Sequence, residues 1–287
     1  MIRWSMLKNC GVFVANGTYN MRLVILTLPH VYANTLVKNL IQEYGDAIQL
    51  IIEPTQQLRG RSTIGMVRYY WQRSGWRYVF AQGIKLELFQ LLAPLYSWLG
   101  HNVNNKFFSY RKLAAIQGIP VRRFADINAL DALTAIHLAQ PEIIVSVLFS
   151  QILQREILQS VSGKVINFHP AYLPYYKGIS PIFWSMVNGE SFVGATVHRI
   201  DEGVDTGNIL AQTKIPITNH DTEDTLYWKC VQEGSRLLIS VINALRRGEI
   251  PSYVHLGGSY FSFPTKEAVR RFHRQGKKFY RLLDLFK

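Results

Sequence analysis

Short apolar runs that alternate with helical periods restrict this chain more than any other feature. Arg22-Leu-Val-Ile-Leu-Thr-Leu28 is nearly continuous in apolar residues, as a strand buried on both faces requires. Pro29 and His30 end it. Tyr32 to Tyr44 puts Leu36, Val37, Leu40 and Ile41 on one side of a helix that Gly45 closes, and Ala47 to Ile52 reads as a second strand. Strand, helix and strand within about 30 residues make a right-handed βαβ unit. The alternation continues with a helix over Phe108 to Gln117, a short strand at Gly118 to Val121 and a helix over Asn128 to Ala139. Pro141 to Val147 is another buried strand, then come a short helix near Gln151 to Gln159 and a strand at Lys164 to Phe168. Strands at Gly194 to Arg199 and Ile209 to Ile215 precede a long helix from Thr222 to Arg247, stopped by Gly248. The expected fold is α/β: a doubly wound, Rossmann-like, mostly parallel sheet with helices on both faces. At 48% hydrophobic and 18% charged residues, the chain buries a sizeable core, and extensive disorder is excluded.

The expected organisation has three parts. Residues 1–20 precede the first strand and read as an extension, with Met1 and Met21 both open as the start. Residues 21–217 form the main domain, with a less regular helical insertion at about 55–110. Residues 218–287 form a C-terminal helix and a basic tail. Arg3 and Lys8 are followed by no sustained apolar run, so the N-terminus does not read as a signal peptide. Two distant cysteines, Cys10 and Cys230, make neither a disulfide framework nor a metal cluster, and fit a reducing compartment, here the cytoplasm.

The net charge of +13 is uneven. Arg59, Arg61, Arg68, Arg73 and Arg77 form one block without an acidic residue, and Lys266 to Lys287 forms the other; together they hold +5 and +6 of the excess. Such blocks are either solvated helix faces or a footprint for an anionic partner. Tyr78 to Gly100 is the most apolar stretch, but Gln82, Lys85, Glu87, Gln90 and Pro94 interrupt it, so it is no transmembrane span. It reads as a core-facing helix or partner interface, and contact with a membrane surface through 57–100 is the other reading.

Ligands of such sheets bind outside the carboxyl ends of the strands, which directs attention to the loops after Leu28, Val147 and Phe168. Thr27-Leu-Pro-His30 is not a Gly-rich dinucleotide turn, and no Gly-Lys-Ser/Thr phosphate loop occurs. Asn167 and His169 are two apart on a strand and so share a face. An amide beside an imidazole suits acyl transfer to an amine: the amide stabilises an oxyanion and the imidazole moves a proton near neutral pH. Asp205 can tune that histidine if the fold brings it close. The alternatives are a hydrogen-bonded structural histidine and an aspartate that caps the Asp-Thr-Gly turn.

Ile166-Asn-Phe-His-Pro-Ala-Tyr-Leu-Pro-Tyr-Tyr-Lys-Gly178, then Gly194-Ala-Thr-Val-His198 and Asp201-Glu-Gly-Val-Asp-Thr-Gly-Asn-Ile-Leu210, resembles the 10-formyltetrahydrofolate-dependent formyltransferase family. That family includes methionyl-tRNA, glycinamide ribonucleotide and amino-sugar N-formyltransferases. The resemblance is specific over about Pro141 to Pro216, looser over Met21 to Pro54 and absent over 55–110. It implies a folate-dependent N-formyltransferase with 10-formyltetrahydrofolate as formyl donor and no metal. Residue by residue it implies Asn167 as oxyanion donor, His169 as proton-transfer residue and Asp205 as the carboxylate that organises both. It further implies that Ser150, Gln151, Ile152 and Leu153 cradle the pterin opposite Asp201, Glu202, Gly203 and Val204. Pro174, Lys177 and Gly178 belong to the loop expected to touch the acceptor. Ala171-Tyr172 departs from the Ser-Leu that many members carry before Leu-Pro.

The expected acceptor is a small anionic amine, an amino sugar on a sugar nucleotide before others, because Pro181-Ile-Phe-Trp-Ser-Met-Val-Asn-Gly-Glu190 looks most like that branch. The alternatives are glycinamide ribonucleotide and methionyl-tRNA. For the tRNA branch, the 71 residues after Pro216 leave no room for the usual C-terminal barrel. A non-enzymatic alternative is an idle folate-binding scaffold.

Overall fold

The computed structural model describes residues 21–55, 63–98, 107–161, 164–249, 252–281 and 284. The 1–20 extension, Cys10, Arg59, Arg61 and Lys287 lie outside them. Seven strands form one sheet: β1 (Leu23–Thr27), β2 (Ile48–Pro54), β3 (Val121–Phe124), β4 (Ile143–Val147), β5 (Val165–His169) and, beyond the two-residue β6 (Lys177–Gly178), β7 (Phe192–Arg199) and β8 (Ile209–Pro216). Their order is β3-β2-β1-β4-β5-β7-β8. The first five are parallel and the last two antiparallel. The order reverses between β1 and β4, so the chain leaves these strands in opposite directions and a crevice opens at their carboxyl ends.

Alternation along each strand fills both faces. Leu23, Ile25, Ile51, Val145, Ile166 and Phe168 join one core cluster, against α1 (Val31–Tyr44) and α8 (Glu223–Arg247). Val24, Leu26, Ile52, Ile144 and Val165 join the other, against α5 (Leu130–Ala139) and α6 (Arg155–Ser160). This period of two, apolar on both sides, explains why the strands read as continuous apolar runs. Helix α8 starts at a capping box on Thr222 and ends at Gly248, as its sequence requires.

Between β2 and α4 (Tyr110–Ile116) lie α2 (Thr63–Ser74) and α3 (Trp76–Trp98). Helix α3 continues through Pro94, which sits near its end. The short strand expected at Gly118 to Val121 is instead β3 at Val121–Phe124. Pro120 has no N–H to give to a ladder; it offers only its carbonyl, to Ile51. The tail is not an appendage. β9 (Tyr260–Phe261) pairs with β6, and α9 (Lys266–Arg274) buries Val269 and Phe272 beside Phe183 of α7 (Pro181–Val187). Among the described residues, no helix is long and apolar enough to cross a membrane.

Candidate active site

The polar cluster stands at the carboxyl end of β5. Asn167 and His169 point to one face, and β7 runs antiparallel beside them with His198 opposite Asn167 and Thr196 opposite His169. His198 therefore joins the same face, although the sequence reading assigned it no role. The alternation Thr196-Val-His198 was its only signal, and strand register was needed to use it. Between Val197 and His198 the register shifts by one residue, with Leu210 of β8 as the extra one, which sharpens the local twist of the pair beside the loop that carries Asp205.

Asp205 lies between the two imidazoles. Its Oδ2 is 3.6 Å from His169 Nδ1, and its Oδ1 is 3.4 Å from His198 Nε2. The Gly178 amide donates to Oδ2 at 2.8 Å. Burial alone would raise this carboxyl; His169, His198 and the Gly178 amide outweigh burial and hold it well below the usual carboxylate range. Carbonyl partners assign the ring hydrogens. His169 Nε2 is 2.9 Å from the Tyr176 carbonyl, which only accepts, so Nε2 carries hydrogen and Nδ1 faces the carboxylate. His198 Nδ1 is 2.6 Å from the Arg199 carbonyl and carries hydrogen likewise. His198 Nε2, which faces Asp205, is also 3.1 Å from Asn167 Nδ2 and ties that amide to the cluster.

The loop after β5 is held from the tail. The Leu173–Pro174 peptide is cis. Pro174 accepts from the Ser259 amide, the Lys177 amide donates to the Ser259 carbonyl, and Lys177 Nζ reaches the Gly257 carbonyl at 3.0 Å. Gly178 has φ +91°, and a Cβ there would meet the Phe261 carbonyl at 2.4 Å, so glycine is needed where the loop passes under β9. The groups of Pro174, Lys177 and Gly178 that were read as acceptor contacts thus have partners within the chain. They set the Tyr176 carbonyl and the Gly178 amide against the histidine and aspartate. Tyr176 stacks on Phe261 and donates to Glu190 at 2.6 Å; burial and that carboxylate push its hydroxyl up to about 12.

The two segments read as a folate cradle face each other. Arg155 and Glu202 approach within 3.9 Å across the gap. On one side Gln151 accepts from the Ile127 amide and donates to the Ala125 carbonyl, Leu153 turns into the core, and Ile152 is exposed. Ser150 is exposed beside it. On the other side Asp201 accepts from the Gly203 amide and the Thr206 hydroxyl, and Val204 is exposed. Ile152 and Val204 are thus exposed on loops fixed by their own hydrogen bonds.

A cleft of about 590 Å³ opens beyond the carboxyl ends of β1 and β2, between Pro29, Pro54, Pro94, Arg111, Lys112 and Arg123. At its base the fully buried Glu53 accepts from Tyr110, from Arg111 at 2.6 Å and from Arg123 at 3.0 Å. Burial would raise the Glu53 carboxyl, but these donors bring it below its ordinary value. One carboxylate against two guanidiniums and an ammonium leaves the cleft positive.

A seven-stranded, mostly parallel sheet with this Asn-His-Asp cluster at a strand end defines the class of the molecule as a formyltransferase-type α/β fold. Residues 121–242 match the model of the Formyl transferase family. The chain is 36% identical over 154 residues to a methionyl-tRNA formyltransferase of Thermodesulfovibrio yellowstonii, covering 53% of this chain and 49% of that one. It therefore spans about half the length of that curated relative. In fold it is similar to an N-formyltransferase from Helicobacter canadensis solved with folinic acid and dTDP-3-aminofucose, at TM-score 0.54 and 22% identity over 84% of this chain and 71% of that one. It is also similar to a phosphoribosylglycinamide formyltransferase from Anaplasma phagocytophilum, at TM-score 0.55 and 14% identity over 85% and 100%.

Proposed function

We propose that this chain moves a formyl group from 10-formyltetrahydrofolate to the amine of a small anionic acceptor, an amino sugar carried on a nucleotide before others. The observation that carries this reading is the Asn167, His169, His198 and Asp205 cluster within the segment that matches the Formyl transferase family. The donor supplies an activated formyl carbon. Ile152 and Val204 hold its ring, and the backbone of 150–153 and 201–204 offers the polar contacts. Asn167 donates to the formyl oxygen as negative charge develops there. The acceptor nitrogen attacks the formyl carbon; His169 takes a proton from that nitrogen, with Asp205 stabilising the charged imidazole, and returns it to the folate nitrogen as the bond from that nitrogen to the formyl carbon breaks. Asp205 stays ionised throughout, since its carboxyl is held so low. The positive cleft at Arg111, Lys112 and Arg123 suits the phosphates of the acceptor. A cytoplasmic location is part of the same proposal, supported by the buried free thiol of Cys230.

An acceptor screen tests this. Amino-sugar nucleotides, glycinamide ribonucleotide and methionyl-tRNA are each incubated with 10-formyltetrahydrofolate, and mass spectrometry looks for the formyl increment. Formylation of methionyl-tRNA alone would replace the sugar reading, for which the 36% identical relative supplies a reason. His169→Ala and Asp205→Ala are each expected to lower kcat by about 10²–10⁴-fold with an unchanged circular dichroism spectrum. Retained activity in either variant would refute the assigned roles. Calorimetric binding of 5-formyltetrahydrofolate without turnover on any acceptor would point to an idle scaffold.

A further inference from the structure

Helices α2 and α3 present an apolar surface that the proposed reaction does not use. On α2, Ile64, Val67 and Trp71 are exposed, Ile64 at 82%. At 3.6 residues per turn they lie within an arc of about 60°, with Arg68 about 40° beyond its edge. On α3, Trp76, Phe80, Leu91, Leu95 and Trp98 are exposed, Leu91 at 71% and Trp98 at 80%. These five fall within an arc of about 100° and run about 33 Å along the helix. Tyr78, Ala81 and Ala93 are buried and fall on the opposite side. Both ends of α3 therefore expose apolar side chains. Single exposed apolar residues are ordinary, but eight of them on two adjacent helices mark a contact surface.

Charge indicates what the surface meets. Helix α2 has no acidic residue, and Arg77 lies 5.5 Å over the Trp76 ring. The basic helix α9 docks on this hairpin. Arg73 donates to the Phe263 carbonyl at 3.2 Å and Ser74 to the Pro264 carbonyl. At the other end of α9, burial and the nearby Arg77 hold the His273 imidazole below its ordinary value. Arg68 of α2 and Arg77 at the start of α3 thus leave the apolar residues of the hairpin flanked by cations, and Arg77 also lies near His273 of α9. A second copy of the chain would oppose like charge with like charge. A nucleic acid would pair with the arginines and stack on the tryptophans, but has no use for Ile64, Val67, Leu91 and Leu95, which offer no face for base stacking. An anionic bilayer uses both features: the acyl boundary takes the apolar row, the headgroups take the arginines, and tryptophan suits the boundary between them.

We infer that α2 and α3 form a docking surface for an anionic phospholipid membrane, with α3 lying in the plane of the interface. This inference does not depend on formyl transfer.

Flotation of the purified full chain tests it, with vesicles of phosphatidylcholine alone or of phosphatidylcholine mixed with phosphatidylglycerol. The chain is expected to float with the anionic vesicles, not with the neutral ones, and to be released by high salt. Trp71→Ser with Trp98→Ser, and separately Arg68→Glu with Arg77→Glu, are each expected to lower vesicle partitioning about tenfold or more while the urea midpoint stays unchanged. If a double variant unfolds, Trp98→Ser alone, at the end of α3, is read in the same way. Absent flotation, equal flotation with neutral vesicles, or unchanged flotation of the folded variants would overturn the inference. So would displacement from the vesicles by RNA at lower concentration than the lipid, or a concentration-dependent dimer that shields Trp98 from a fluorescence quencher.

Discussion

Asn167 and His169 flank Phe168 on β5, so the ring turns to the other face and packs where α8 has Gly234. A Cβ at Gly234 would meet that ring at 2.3 Å. Alanine in a helix is ordinarily worth about 1 kcal/mol over glycine. Overpacking a full core costs about 1–3 kcal/mol. Packing should win here, because Phe168 is fully buried. Gly234→Ala is therefore expected to lower stability by about 1–2 kcal/mol in urea unfolding, and to reduce kcat because the polar residues on either side of the ring move with it. A more stable variant would show that the ring yields freely. At this scale the sequence was informative but incomplete. Period two put Asn167 and His169 on one face, whereas Asp205 was reached by resemblance to a family. His198 was quoted within a motif and given no role, since its place beside Asn167 depends on the pairing of β5 with β7.

Among the elements, Glu53 fastens the carboxyl end of β2 to β3 and α4 through Arg123, Arg111 and Tyr110. Its carboxyl is lower in the folded chain than its ordinary value. Such a group adds stability that is fully present above the unfolded value of about 4.3 and is lost as pH falls through the folded one. Glu53→Gln is expected to cost about 2–3 kcal/mol at pH 7, less than a wholly buried pair because both arginines are partly exposed. Urea unfolding should show the gap to wild type narrowing below about pH 4, and a gap that is constant down to pH 3 would exclude the ion pairs as its source. The strands around this cluster were legible, because burial on both faces demands the continuous apolar runs that the sequence shows. The two-residue β6 and β9 were not, since two residues have no period, and their pairing is set by the loop and tail that meet there.

For the whole molecule, the tail is a test of how the core closes. Phe272 is fully buried and stacks on Phe183 at 5.1 Å and Phe279 at 4.7 Å. Phe272→Ala is expected to cost about 3–5 kcal/mol in urea unfolding. A loss below about 1 kcal/mol would mean that the tail docks loosely. The same docking brings Ser259 and Phe261 against the loop that presents Gly178 to Asp205, so folding of the tail and geometry of the site are coupled. The sequence by itself determined the α/β alternation, the two-sided core of the sheet and the face shared by Asn167 and His169. All of these are local consequences of periods of 2 and 3.6 residues. Only the tertiary structure decided that His198 completes the cluster, that the tail braces its loop, and that the segment before α9 docks on the end of α2. Those depend on strand register and on packing between residues far apart in the chain, which no local period encodes.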